Sequence, residues 1–166
     1  MKSVMIPVDG TSASLEAVRA TLREGPEAIA RIELLNVQPR LNRHICAFVP
    51  RSMRDAWREE RARRALHGAL ARVRHSGIPC RTHMATGRIA PEIALAASSL
   101  GVDEIVIAAR RRGPLGRLLA SSVSASLLPL SEVPVRVVPG GAPPAFERFA
   151  LPAGLGLAAL LLLAAD

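Results

Sequence analysis

Short apolar runs alternate with amphipathic segments along most of this chain. The apolar runs predict strands over residues 2–8, 31–37, 78–85, 102–109 and 133–138. Apolar residues at helical spacing predict a helix through Leu15, Val18 and Leu22, and further helices over residues 51–75, 90–100 and 122–128. Strands that alternate with helices in this way indicate an α/β protein with a single open parallel five-stranded sheet and helices on both faces, a Rossmann-like architecture.

The helix over residues 51–75 is the longest. It is predicted to bury one stripe that includes Met53, Trp57 and Leu66, and to expose arginines on the opposite face.

In a parallel sheet, ligands bind at the carboxyl ends of the strands, near the point where the strand order reverses. Asp9, Val37 and the loop over residues 108–117 come at such ends, so function is expected there.

The composition adds little about partners. The net charge is +8, the sequence pI is about 11.4, and Lys2 is the only lysine, so the charge is carried by arginine. Only 2% of residues are aromatic, which predicts an aliphatic core and argues against a nucleic-acid face built on stacking. Cys46 and Cys80 form no CxxC pair, which favours a reducing, cytoplasmic location.

No catalytic or metal motif emerges from the sequence. The chain has no Walker motif and no GxGxxG, and its histidines, cysteines and serines form no recognisable Ser-His-Asp, Cys-His or zinc pattern. The sequence therefore predicts a protein that is not an enzyme and that holds no metal.

The C-terminal region differs in composition from the rest. Residues 140–148 are rich in glycine and proline and are predicted to be a linker between a domain over residues 1–139 and a hydrophobic tail over residues 149–166. Residues 149–165 carry no charge, and their length is near the lower limit of about 17 for a membrane-spanning helix. Three hypotheses stay open: a membrane contact that attaches the chain to the inner face of the membrane, a helix packed on its own domain or on a partner, or a poorly ordered extension.

Four stretches, taken in order, resemble the universal stress protein family. They are residues 6–12 (IPVDGTS), 34–37 (LLNV), 87–93 with 101–107 (GRIAPEI and GVDEIVI), and 118–124 with 133–138 (LLASSVS and VPVRVV). The resemblance implies a domain like that of the adenine nucleotide alpha hydrolases, linked to stress survival and often forming a homodimer, here through residues 133–138. Some members bind ATP or AMP, and others bind no nucleotide.

The resemblance also implies where a nucleotide would bind. Asp9 and Val37 would hold the adenosine, and a glycine-rich motif, G-x2-G-x9-G-[ST], would take the ribose and phosphates. Aligned through residues 122–124, its three glycine positions fall on Ala108, Arg111 and Ser121. The complete set of nucleotide-binding positions implied by the resemblance is Pro7, Val8, Asp9, Val37, Ile107, Ala108, Arg111, Ser121, Ser122 and Val123.

All three glycine positions carry a side chain, which predicts weakened or lost ATP binding in a stress-response binding or regulatory module. Two alternatives stay open. One is an ATP or AMP sensor in which arginines replace the backbone nest. The other is a membrane-tethered module whose basic surface engages anionic lipid or an acidic partner; the identity of any protein partner is unknown.

Overall fold

The computed structural model describes residues 1–40, 49–109 and 123–140. The strands are β1 (Lys2–Pro7), β2 (Ile29–Gln38), β3 (Cys80–Thr86), β4 (Glu104–Ala109) and β5 (Val135–Pro139). They form one sheet in the order β3-β2-β1-β4-β5, and every neighbouring pair is parallel. The prediction of a five-stranded parallel sheet is confirmed.

In the described part of the chain, four helices cover this sheet: α1 (Ser12–Leu22), α2 (Arg51–Arg74), α3 (Ile89–Ser99) and α4 (Val123–Leu127). Buried residues of α1 and α2 share one apolar cluster with Val4, Ile6 and Ile32 of the sheet. Residues of α3 and α4 share a second cluster with Met5, Leu35 and Ile105. The helices therefore lie on both faces, and the core between the layers is aliphatic, as predicted.

Strand boundaries differ from the sequence prediction by one or two residues. β1 ends at Pro7, although the Val8 N–H still donates to the Leu35 carbonyl at 2.8 Å. β3 starts at Cys80, two residues later than predicted, and the Pro79 carbonyl accepts from Ile32 N–H at 2.8 Å. β5 lies at one edge of the described sheet, where the homodimer is predicted, and that assembly stays a prediction.

The predicted buried stripe of α2 is wrong in its first half. Met53 and Trp57 are 63% and 46% exposed, whereas Ala62, Leu66, Ala69 and Val73 are buried. The reason is geometric, because α2 connects two parallel strands and must begin at the carboxyl end of the sheet. Gly10, just past the end of β1, lies against Ala65 of α2. At 1.5 Å per residue, the residues of α2 before Ala65 therefore extend roughly 20 Å beyond the carboxyl end of β1.

Four charged residues join the amino ends of the sheet to α1. Lys2 Nζ lies 2.6 Å from a Glu104 carboxylate oxygen and 3.0 Å from a Glu24 carboxylate oxygen. Arg136 Nε lies 2.8 Å from Glu104, and the Arg136 guanidinium also pairs with Glu24. The network links β1, β4 and β5 with the end of α1, so both positive charges are compensated.

The network shifts the pKa of two of its members. Burial of Glu24 on its own would raise its pKa, but the hydrogen bond from Lys2 and the charge of Arg136 outweigh burial and hold that pKa below its ordinary value of 4.5. Hydrogen bonds to Glu104 and then to Glu24 raise the pKa of Lys2 above its ordinary value of 10.5. Both shifts favour the charged, folded state.

Acid should therefore destabilise the fold partly through Glu24. Because the folded pKa of Glu24 lies below the unfolded value, the unfolded chain binds the proton first; the stabilisation is complete above pH 4.5 and is lost as the pH falls through the folded pKa. We expect Glu24→Gln to cost about 1 kcal/mol at neutral pH and to reduce the acid dependence of the unfolding free energy, measured by urea titration at several pH values.

Glu27 provides the matched control, since it is an exposed glutamate near Glu24. Glu27→Gln should leave the acid dependence of the wild type unchanged. Some dependence should persist in Glu24→Gln, because the backbone N–H of Ser3 also lowers the pKa of Asp103. An acid dependence in Glu24→Gln equal to that of the wild type would contradict the role given to the network.

Candidate functional site

The strand order reverses between β1 and β4. From β1 the chain moves outward to β2 and β3, whereas from β4 it moves to β5 on the other side. The segments that leave the carboxyl ends of β1 and β4 therefore diverge and leave a crevice, which is where open parallel sheets bind ligands. The described walls of this crevice are the turn after β1, the end of β2 and the end of β4.

The turn after β1 is held by Asp9 and Thr11. The Asp9 carboxylate accepts from the Thr11 N–H at 3.0 Å and from the Thr11 hydroxyl at 2.6 Å. Thr11, rather than Asp9, is the N-cap of α1, because its hydroxyl oxygen accepts from the Ser14 N–H at 3.4 Å. The exposed Asp9 thus stabilises the cap from two residues before it, at the mouth of the crevice.

A buried amide fixes this turn to β2. Asn36 Nδ2 donates to the Val8 carbonyl at 2.7 Å, and Gln38 Nε2 donates to Asn36 Oδ1 at 2.6 Å. The Gln38 carbonyl accepts in turn from the Gly87 N–H at 3.0 Å, just before α3. Asn36 and Gln38 are almost completely buried. The carboxyl ends of β1 and β2 and the entry to α3 are therefore connected by one chain of hydrogen bonds.

Sequence reasoning missed Asn36 and Gln38, although a signal was present. Both are amide residues two positions apart in an otherwise apolar strand, so they lie on the same face of the sheet. A buried amide needs partners because an unpaired polar group costs about 1–3 kcal/mol. Polar residues in such a strand therefore indicate a hydrogen-bonding requirement near the strand end.

The turn approaches α2 closely at Gly10. Gly10 has φ +82°, a left-handed conformation that favours glycine, and a Cβ there would lie 3.2 Å from the Ala65 Cα. The turn and the long helix therefore pack backbone to backbone. This contact fixes the height at which the first half of α2 rises past the crevice.

The exit from β4 is fixed by Gly140. The Gly140 N–H donates to the Ala109 carbonyl at 2.7 Å, and a Cβ on Gly140 would lie 2.5 Å from that oxygen. Ala108 is half-buried and packs against the apolar cluster beneath α1 and α2. β4 and β5 therefore leave the sheet side by side, with the Ala108 side chain occupied in packing.

Most of the predicted nucleotide-binding positions that the structure describes come together at this end of the sheet. Val8 and Ala108 belong to the cluster under α1 and α2, whereas Val37 and Ile107 belong to the cluster under α3 and α4. Of the remaining positions, three are described and three are not. Pro7 and Asp9 flank Val8 at the end of β1, and Val123 begins α4, while Arg111, Ser121 and Ser122 lie outside the described residues.

The described residues offer no metal centre. Within residues 1–40, 49–109 and 123–140, no group of three His, Cys, Asp or Glu side chains is placed to hold a metal ion. His83 instead pairs with the buried Glu33 at 2.7 Å, on strands β3 and β2. Glu33 also lies 3.1 Å from Arg31 Nε. The described groups at the crevice are backbone groups, the Asp9 carboxylate and apolar side chains.

A parallel sheet in this order, with a crevice at its reversal point, defines an open, Rossmann-like α/β protein. The model of the universal stress protein family matches residues 1–139, and the chain belongs to that family. The resemblance drawn from the four sequence stretches is confirmed. No curated protein sequence matches the chain.

Solved structures share the fold. The hypothetical protein MJ0577 aligns with a TM-score of 0.70 at 20% identity, covering 86% of this chain and 98% of its own. A universal stress protein family member from Burkholderia pseudomallei aligns at 0.63 with 26% identity, covering 83% and 96%. A family protein from Arabidopsis thaliana, solved with AMP bound, aligns at 0.63 with 20% identity, covering 87% and 97%.

The predicted hydrophobic tail, residues 149–166, lies beyond the residues that the family model matches. Among the described helices, none is long and apolar enough to cross a membrane. Residues 149–165, on which the membrane prediction rests, lie outside the described residues, as does most of the predicted linker. Both stay predictions.

The contact between Gly10 and α2 should be measurable as a loss of stability. Gly77 has a similar φ of +74° but no atom within 4 Å of its Cβ position, so Gly77→Ala should cost only the left-handed strain, about 1–2 kcal/mol. Gly10→Ala should cost at least about 1 kcal/mol more, because Ala65 must move as well. Urea unfolding of both variants provides the measurement, and equal losses would contradict the close contact.

Proposed function

We propose that this chain is a non-enzymatic binding or regulatory module of the universal stress protein family in which ATP binding is weakened or lost. The observation that carries the proposal is the substitution of all three glycine positions of the phosphate-binding motif, by Ala108, Arg111 and Ser121. Glycine at such positions lets backbone N–H groups approach a phosphate closely and adopt conformations that other residues avoid. A side chain at each position works against both requirements.

The surroundings of Ala108 support this proposal. Its side chain packs into the apolar cluster beneath α1 and α2. The carbonyl of the next residue, Ala109, accepts a hydrogen bond from the Gly140 N–H. The end of β4 is thus fixed by packing and by a strand-to-strand hydrogen bond. A backbone in this state has little freedom to reshape itself around a triphosphate, and Arg111 adds a long side chain three residues further on.

The walls of the crevice support retention of a ligand site of some kind. The hydrogen bonds that Asn36 donates to Val8 and that Thr11 donates to Asp9 hold the turn after β1, and neither involves a ligand. On either side of β1, the half-buried Val37 and the buried Ile107 pack into the cluster beneath α3 and α4. A crevice of this form suits the flat, largely apolar face of a nucleoside better than it suits a chain of phosphates.

A second candidate function is an ATP or AMP sensor. Two observations favour it: a relative of the same fold was solved with AMP bound, and the Asp9–Thr11 turn is in place. The sequence between β4 and α4 contains Arg110, Arg111, Arg112 and Arg117, and guanidinium groups bind phosphate through paired hydrogen bonds. In this hypothesis charged side chains replace the backbone nest.

Arg111→Gly distinguishes the two functions because they predict opposite signs. If the side chain obstructs a nest, the variant should bind ATP more tightly than the wild type, and Ala108→Gly with Arg111→Gly and Ser121→Gly together should gain about tenfold or more, roughly 1.4 kcal/mol. If Arg111 holds phosphate, its removal should weaken binding. Calorimetric titration of the full chain with ATP and with AMP measures both affinities.

Two further variants complete this experiment. Arg23→Gly removes an exposed arginine at the end of α1, on the opposite side of the fold, and should leave nucleotide affinity unchanged. Asp9→Ala should abolish whatever nucleotide binding the wild type has. Micromolar ATP binding by the wild type, lost in Arg111→Gly, would overturn the first proposal in favour of the second.

A further inference from the structure

The first half of α2 presents two exposed apolar side chains on the part of the helix that rises past the sheet. Met53 is 63% exposed and Trp57 is 46% exposed. They are four residues apart, so they lie one above the other on the same face of the helix. We refer to Met53, Arg54, Trp57 and Arg61 as the Trp57 patch.

Cations outnumber carboxylates along this helix. α2 contains eight arginines and three acidic residues, Asp55, Glu59 and Glu60. Each of the three carboxylates already has arginine partners on the helix. Asp55 pairs with Arg51 and Arg58, Glu59 pairs with Arg63, and Glu60 pairs with Arg63 and Arg64. The acidic residues are thus used by arginines other than the two in the Trp57 patch.

The two arginines of the patch lie directly beside Trp57. Arg61 is one turn further along and places its guanidinium carbon 4.8 Å from the centre of the Trp57 ring. Arg54 is one turn earlier, and its Nε is buried without a hydrogen-bond acceptor. Within the described parts of the chain, no carboxylate pairs with either residue.

We propose that the Trp57 patch docks on an anionic lipid surface. Tryptophan and arginine suit a membrane interface because the ring can enter the boundary of the acyl chains while the guanidinium remains at the level of the phosphates. The exposed Arg61 guanidinium, stacked on the Trp57 ring, would pair with a phosphate oxygen. Met53 would enter beside Trp57, and each arginine near the surface would contribute about 1 kcal/mol of attraction.

The size and shape of the patch favour lipid over a folded protein partner. A stable protein interface buries about 800 Å² on each side. Among the described residues of α2, two large apolar side chains are exposed, and they lie on one convex helix. A lipid surface has no such requirement, because binding strength grows with whatever apolar area is inserted and with the surrounding positive charge. The proposal does not depend on nucleotide binding at the crevice.

Trp57 reports on this proposal directly because it is the only tryptophan in the chain. The full chain is mixed with vesicles of phosphatidylcholine alone, or of phosphatidylcholine with phosphatidylserine. With phosphatidylserine at low salt, Trp57 emission should shift to shorter wavelength and be quenched by lipids brominated on their acyl chains. High salt should reverse both effects. Vesicles of phosphatidylcholine alone should cause neither.

Two variants with the same loss of charge separate the patch from the overall basic character of the chain. Arg61→Gln should weaken the phosphatidylserine-dependent shift several-fold, whereas Arg23→Gln, at an exposed site at the end of α1, should leave it nearly unchanged. Circular dichroism checks that both variants are folded. Because both variants lose one positive charge, the difference between them excludes any contribution from net charge alone.

Several results would overturn the proposal. One is vesicle binding, detected by sedimentation, without any change in Trp57 emission, because another part of the chain would then hold the lipid. Another is an equal loss in Arg61→Gln and Arg23→Gln. A third is a Trp57 response to polyglutamate but not to vesicles, which would assign the patch to an acidic polypeptide instead.

Discussion

The hydrogen bond from the Asn36 amide to the Val8 carbonyl is the constraint on which the functional end of this protein depends. Asn36 is buried in a strand that packs on both faces, so its amide must find partners inside the protein. Val8 and Gln38 supply them, and the Gln38 carbonyl carries the connection to Gly87. The turn that bears Asp9 is therefore tied to β2 by hydrogen bonds that involve no ligand.

The position of this turn also determines where α2 lies relative to the sheet. Gly10 packs closely against Ala65, and a Cβ there would lie only 3.2 Å from the Ala65 Cα. The contact fixes α2 at Ala65, and the earlier residues of the helix extend beyond the carboxyl end of the sheet. Buried residues continue only from Ala62 onward, and Trp57 is left exposed. One close contact thus builds a wall of the crevice and leaves the surface that we propose for lipid.

The sequence predicts the architecture well because hydrophobic periodicity records which faces are buried. The five strands, the helices on both faces and the family could all be predicted from apolar runs and short motifs. The exposure of Met53 and Trp57 could not, since an amphipathic pattern does not show where the neighbouring sheet ends. The bonds among Val8, Asn36 and Gln38 were also missed, because pairing between strands depends on register, which periodicity alone leaves open.

The central claim is that the crevice keeps its walls while its capacity for ATP is weakened or lost. The most direct test is the nucleotide content of freshly purified full-length chain, released by denaturation and identified by mass spectrometry. The account predicts no stoichiometric ATP. Release of ATP in a near one-to-one ratio with the protein would contradict it, because the chain would then hold the ligand tightly despite Ala108, Arg111 and Ser121.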